Sequence, residues 1–140
     1  MSSTYIPSAL RRLIYDRAKG CCEYCRISEA TAFAAHEIDH IIAEKHGGLT
    51  EAENLALSCV LCNKHKGSDI ASIDPQTGEV IPLDNPRRDS WYEHFRLSDA
   101  EFIPLTPKGR VTVRLLQFNR PDRIEERKLL IEAEMFNLPD

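Results

Sequence analysis

Four of the five cysteines fall into two pairs, Cys22-x-x-Cys25 and Cys59-x-x-Cys62, with 33 residues between them. A two-residue spacer lets both sulfurs of a knuckle face one ion, and two knuckles complete a tetrahedron. The spacing therefore predicts a structural zinc on Cys22, Cys25, Cys59 and Cys62. Disulfide pairing is the competing reading, and it requires an oxidising compartment. A redox role for either pair fits less well than a clamp, because the two pairs bracket one short segment. Cys21 is left over, and is expected to pack as a small apolar residue or to remain a free thiol.

The bracketed segment holds a second set of reactive types: His36, Glu37, Asp39, His40, Gly47-Gly48 and Asn54, followed by Asn63, Lys64, His65 and Lys66 around and beyond the last cysteine. Hydrolysis of a phosphodiester needs a base that takes a proton from water near neutral pH, the natural range of histidine. It also needs a cation at the developing negative charge, held by hard oxygen donors such as a carboxylate and an amide carbonyl. Asp39 and His40 are neighbours on an expected strand, so an ideal strand would point them to opposite faces. One could reach a metal while the other approaches the phosphate, if the strand end twists or bulges. Asn63 directly follows the last zinc ligand, and Asn54 can hydrogen-bond across the intervening loop. Lys64 and Lys66 share a short helix whose N-terminal end would favour phosphate. His36, His46 and His94 are read as surface or internally satisfied side chains, Glu37 as an exposed strand carboxylate, and His65 and Lys64 as the solvated face of that helix.

The elements that must position these groups are visible in the pattern. Ile6, Leu10, Leu13 and Ile14 form a helical stripe, with Ser8 as cap and Gly20 as terminator. Residues 34–42 read as a strand, Gly47-Gly48 as a turn, Asn54-Leu55-Ala56-Leu57 as a returning strand, and residues 60–66 as a short helix ended by Gly67. Downstream, a turn at residues 74–78 separates Ile73 from Val80-Ile81, and a hairpin is expected from Phe95–Leu97 and Phe102–Leu105. Thr106-Pro107 opens a helix with Val111, Leu115, Leu116 and Phe118 inward. Pro121 opens a last helix, with Ile124, Leu129, Ile131, Met135 and Phe136 expected in buried positions and the Glu125–Lys128 charge run facing water.

Taken in order, Cys-x-x-Cys, Asp39-His40-Ile41, Gly47-Gly48, Asn54-Leu55, Cys-x-x-Cys-Asn63 and Lys66-Gly67 resemble the HNH endonuclease family across residues 22–70. The resemblance implies an α+β fold: a ββα-metal core stapled by the four-cysteine zinc site, with flanking helices and a C-terminal hairpin and helical extension. The expected organisation is an N-terminal helix over 1–20, the nuclease core over 21–70, and an α/β extension over 71–140 packed on it. The family pattern implies His40 as general base and Asp39 as metal-binding acid. It makes Asn54 an orienting residue, places Asn63 as the second ligand of a catalytic Mg2+ or similar divalent cation, and gives Lys66 contact with phosphate or charge stabilisation. Ala43 stands where many members carry proline, which puts the loop shape in question rather than the chemistry.

Composition constrains the partner. The chain of 140 residues carries 18 Lys+Arg against 22 Asp+Glu, a formal charge of −4, so the net balance gives no sign of a polyanion partner. DNA, expected to be double-stranded, must then be met by a local cluster of cations and the bound metal, with modest, salt-sensitive affinity. Cutting both strands with one site per chain would call for a homodimer. No apolar run is long enough to span a membrane, and the N-terminus lacks a signal-peptide core, which predicts a cytoplasmic protein. The rival function is a non-catalytic zinc module that binds nucleic acid or protein on the same fold.

Overall fold

The computed structural model describes residues 4–140. The fold is mixed α+β, with three two-stranded antiparallel sheets and five α-helices among the described residues. It divides into two compact units, Met1–Ile70 and Ala71–Asp140. None of the described helices is long and apolar enough to cross a membrane.

In the first unit, helix α1 (Ser8–Ala18) precedes strands β1 (Glu37–His40) and β2 (Leu55–Ser58) and helix α2 (Val60–Lys66). Glu37 lies opposite Ser58, and His40 opposite Leu55. The core is small: Ile6, Ile14 and Ala18 pack on Leu55 and Leu57, with Leu10, Tyr15 and Ile38 around them. Ile6, Leu10 and Ile14 thus face inward as the periodicity predicts, but Leu13 is 46% exposed and Ala18 takes the next inward position. Ser8 is not the cap. Pro7 holds that position without a side-chain bond, and Ser8 is the first helical residue. The first strand is also shorter than the apolar run 34–42 suggests, because residues 34–36 lie outside the ladder.

The backbone groups of β2 that turn away from β1 are bonded elsewhere. Arg17 donates to the Leu55 carbonyl, the Glu23 amide donates to the Leu57 carbonyl at 2.8 Å, and the Leu57 amide donates to the Glu23 carboxylate at 2.9 Å. Helix α2 ends at Gly67, whose φ of 51° and ψ of −128° suit glycine almost alone.

The second unit holds the hairpin β3 (Ala71–Ile73) and β4 (Val80–Pro82), the single turn of helix α3 (Trp91–His94), and the hairpin β5 (Phe95–Ser98) and β6 (Glu101–Pro104). Helices α4 (Pro107–Leu115) and α5 (Pro121–Glu132) complete it. Thr106 caps α4, accepting a hydrogen bond from the Gly109 amide at 3.1 Å. Trp91, Phe95, Phe102 and Phe118 form the aromatic core, with Phe102 and Phe118 ring centroids 5.1 Å apart.

Helix α5 departs most from its sequence pattern. Leu129 is 61% exposed, Met135 50% and Ile131 36%, while Arg123 and Arg127 are buried. The charge run over 125–128 is therefore not wholly a wet face. Arg127 lies over the Phe102 ring at 4.2 Å and donates to the carbonyls of Ala100 and Phe118. Arg123 donates to the Leu116 carbonyl at 2.7 Å, beyond the last turn of α4. These arginines satisfy carbonyls that would otherwise be buried without donors, and their planar groups cover aromatic rings.

The turn at residues 74–78 depends on Asp74, which is buried and accepts bonds from the Gln76 amide, the Thr77 hydroxyl and, bidentately, Arg110 at 2.9 and 2.8 Å. The guanidinium, helped by the turn donors, holds the Asp74 carboxyl well below its ordinary value of 3.8. A depressed carboxylate contributes stability that is present above the unfolded value and lost as pH falls through the folded one. Asp74→Asn is expected to lower the urea midpoint at pH 7, with the gap to wild type closing progressively below pH 3.8. A gap of constant size down to strong acid would refute the assignment.

Candidate metal and nuclease site

The two knuckles converge. One sulfur from each of Cys22, Cys25, Cys59 and Cys62 lies within 4.8 Å of the others, all four are buried, and none is in a disulfide. The Cys25 and Cys59 sulfurs are 3.6 Å apart. Four sulfurs about 2.3 Å from one tetrahedral zinc stand roughly 3.8 Å from each other, so this cluster could hold zinc with little adjustment. Burial pushes the Cys22 and Cys62 thiols well up, so thiolates in this cluster need a cation to compensate them. Cys21 is buried outside the cluster, in an isolated bridge to Ser28. The N-terminus of α2 is turned to sulfur rather than to phosphate: the Cys62 amide points at the Cys59 sulfur, 3.4 Å away.

Beside this cluster, a cleft of about 830 Å³ is lined by Glu37, Asp39, His40, Asn63 and neighbours that include Arg11 and Lys45. The cleft wraps the end of β1, so it receives both Asp39 and His40 although the two leave the strand in different directions. Asp39 turns toward the knuckle and α2, where its Oδ2 accepts from the Tyr24 hydroxyl at 2.8 Å and meets Lys66 Nζ at 3.1 Å. Burial raises the Asp39 carboxyl above its ordinary value, against the pull of Lys66, Tyr24 and His40. Its other oxygen, Oδ1, accepts no hydrogen bond from the described residues.

His40 turns the other way, toward the loop. Its Nε2 lies 2.9 Å from Thr50 Oγ1 and 3.8 Å from the Glu44 carboxylate. Thr50 thereby fixes the ring at Nε2, and His40 lines the cleft. Asn63 donates from Nδ2 to Glu37 Oε1 at 2.8 Å, which settles the amide's orientation and leaves its carbonyl oxygen for another partner. A carboxylate oxygen on Asp39 and an amide oxygen on Asn63 make a donor set that suits a hard divalent cation.

Two residues named from the sequence do not line the cleft. Asn54 sits in a 3-10 turn just before β2 rather than on the strand itself. Its side chain accepts from the Ile42 amide and donates to the carbonyls of Ile42 and Leu49, each at 2.9 Å, closing the 42–54 loop on itself. Gly48 passes so near that a Cβ there would stand 1.7 Å from the Ile42 carbonyl oxygen. Lys66 is only 2% exposed, and Nζ also donates to the His40 carbonyl at 3.2 Å. It does not reach a phosphate in the cleft, and its charge acts through Asp39. Ala43 has φ −60°, the value proline would impose, so the loop keeps that shape without the ring.

Residues 22–69 match the HNH endonuclease family. No curated protein and no solved structure matches the chain. The HNH segment takes in both knuckles, β1, β2, α2 and the cleft residues Glu37, Asp39, His40 and Asn63. It supports a nuclease-type or nucleic-acid-binding function, with a divalent metal and a nucleic-acid partner. Within the HNH segment, sequence reasoning overlooked three contacts: Tyr24 on Asp39, Thr50 on His40 and Glu37 on Asn63. Only Glu37 carries a signal in the pattern, its two-residue spacing from Asp39. Tyr24 and Thr50 lie in irregular backbone, where spacing does not reveal direction.

Proposed function

We propose that this protein is a metal-dependent endonuclease that hydrolyses phosphodiester bonds of double-stranded DNA, with zinc on Cys22, Cys25, Cys59 and Cys62 as its structural ion. The single observation behind the reading is that Asp39, His40 and Asn63 line one cleft next to the sulfur cluster. His40 Nδ1 accepts the proton of the attacking water, while Thr50 holds Nε2 and keeps the ring aimed. Asp39 Oδ1 and the Asn63 carbonyl oxygen hold the divalent cation, Mg2+ being the natural choice for such oxygen donors. When bound, that cation supplies charge compensation at the scissile phosphate and the departing 3′ oxygen. Lys66 keeps Asp39 ionised and fixed, and Glu37 keeps the Asn63 amide turned the right way.

The test is relaxation of supercoiled plasmid with Mg2+ or Mn2+, with and without EDTA. Nicking that needs the added metal and weakens steeply with salt is the expected result. A protein that retains zinc and binds DNA but leaves the plasmid intact with either metal would instead be the non-catalytic module. A linear product appearing together with the nicked circle would point to two copies acting on one duplex.

A further inference from the structure

We propose that Asp84, Asp89 and His94 form a second divalent-cation site, in the C-terminal unit, suited best to Zn2+. This inference is independent of the nuclease reading. One ligand atom from each residue lies within 4.8 Å of the other two. Donors about 2.0–2.2 Å from a common zinc stand roughly 3–4 Å apart, so side-chain movements of about an ångström close the site.

Asp84 carries the argument. It is 5% exposed, and its Oδ1 is buried without a hydrogen-bond partner. A buried carboxylate oxygen without a donor is destabilising unless a cation or a proton compensates it. The nearby ammonium group does not do so directly, because Lys108 Nζ sits 3.0 Å from each oxygen of Asp89.

The surroundings hold the three ligands ready. The Asp84 amide donates to Thr112 Oγ1 at 2.9 Å, and the Asn85 amide donates to Asp89 Oδ2 at 2.8 Å. His94 Nδ1 is 2.6 Å from Thr106 Oγ1, and Glu93 lies 3.9 Å from Nε2. A ligand imidazole held at its other nitrogen is the usual arrangement in metal sites. Two carboxylates and one imidazole favour a borderline ion such as Zn2+ over Mg2+ or Ca2+, which take oxygen almost alone. Water would complete the coordination.

The test uses the full chain in an Asp39→Asn background, which removes from the cleft the carboxylate proposed to hold the catalytic cation. Titrated with Zn2+, this protein should hold two ions per chain. Adding Asp84→Asn or His94→Gln should each reduce the count to one, while cobalt substitution still gives the sulfur-to-metal absorption of the cysteine site. Lys108→Met should tighten the second ion about tenfold, since it removes a competing charge. Neighbouring substitutions of opposite sign are not what a purely structural cluster produces. The parent protein is read as well, because a variant at a buried position can fail to fold: excess Zn2+ should raise its melting temperature. One zinc per chain with no saturable further uptake overturns the site. A second ion that survives both substitutions overturns it equally.

Discussion

His40→Ala will reduce plasmid cleavage by about 10²–10⁴-fold, the usual contribution of a general base, without releasing zinc. The imidazole is at the end of β1 with Nε2 on Thr50, and its removal deletes the group proposed to deprotonate water while leaving Asp39 and Asn63 in place. The fold should tolerate the change, because the His40 backbone, not its ring, accepts from Lys66 and pairs with Leu55. Zinc content and the thermal melt are measured beside the cleavage rate. Cleavage at the parental rate with an intact melt would remove His40 from the mechanism. Thr50→Val serves as the companion: it keeps the ring but frees Nε2, so a smaller loss and an altered pH–rate profile are expected.

Cys62→Ser will cost the first unit its fold. Structural zinc in small thiolate sites contributes about 10–16 kcal/mol at neutral pH, as much as or more than the ~5–15 kcal/mol total stability of an ordinary domain. The apolar cluster of Ile6, Ile14, Ala18, Leu55 and Leu57 is too small to replace such a staple. Cys62 is fully buried at the start of α2, so a hydroxyl there also leaves three thiols without their fourth partner. The expected readout is loss of one zinc and collapse of amide chemical-shift dispersion for Ile14, Leu55 and Leu57. Strong chelation of the wild type should do the same, reversed by added zinc. An unchanged melt and an unchanged zinc content in the variant would sink the staple.

Much of the local structure is legible because short-range rules decide it. Helix α2 runs over 60–66 and stops at Gly67 as the sequence implies, and Thr106-Pro107 opens α4. Both hairpins of the second unit follow from turn residues at Asp74–Gly78 and Ser98–Ala100. What the sequence hides is the direction of long charged side chains. Arg127 reads as part of a wet charge run because nothing local announces the carbonyls of Phe118 and Ala100 that receive it, and nothing local marks Arg123 for the Leu116 carbonyl. Lys66 reads as a phosphate contact for the same reason, yet it faces inward onto Asp39. At the candidate site, residue types and order locate Asp39, His40 and Asn63. The partners that orient them, Tyr24, Thr50 and Glu37, arrive from three separate segments, and of these only Glu37 is hinted at by its spacing.

The bonds on the far side of β2 have a consequence for self-association. A two-stranded sheet normally presents an open rim that another chain can extend, the route to swapped dimers and fibrils. Here Arg17 caps the Leu55 carbonyl, and Glu23 occupies both the amide and the carbonyl of Leu57. An incoming strand would have to expel a guanidinium and a carboxylate before forming its first ladder bond, so any assembly of this protein must use some other surface.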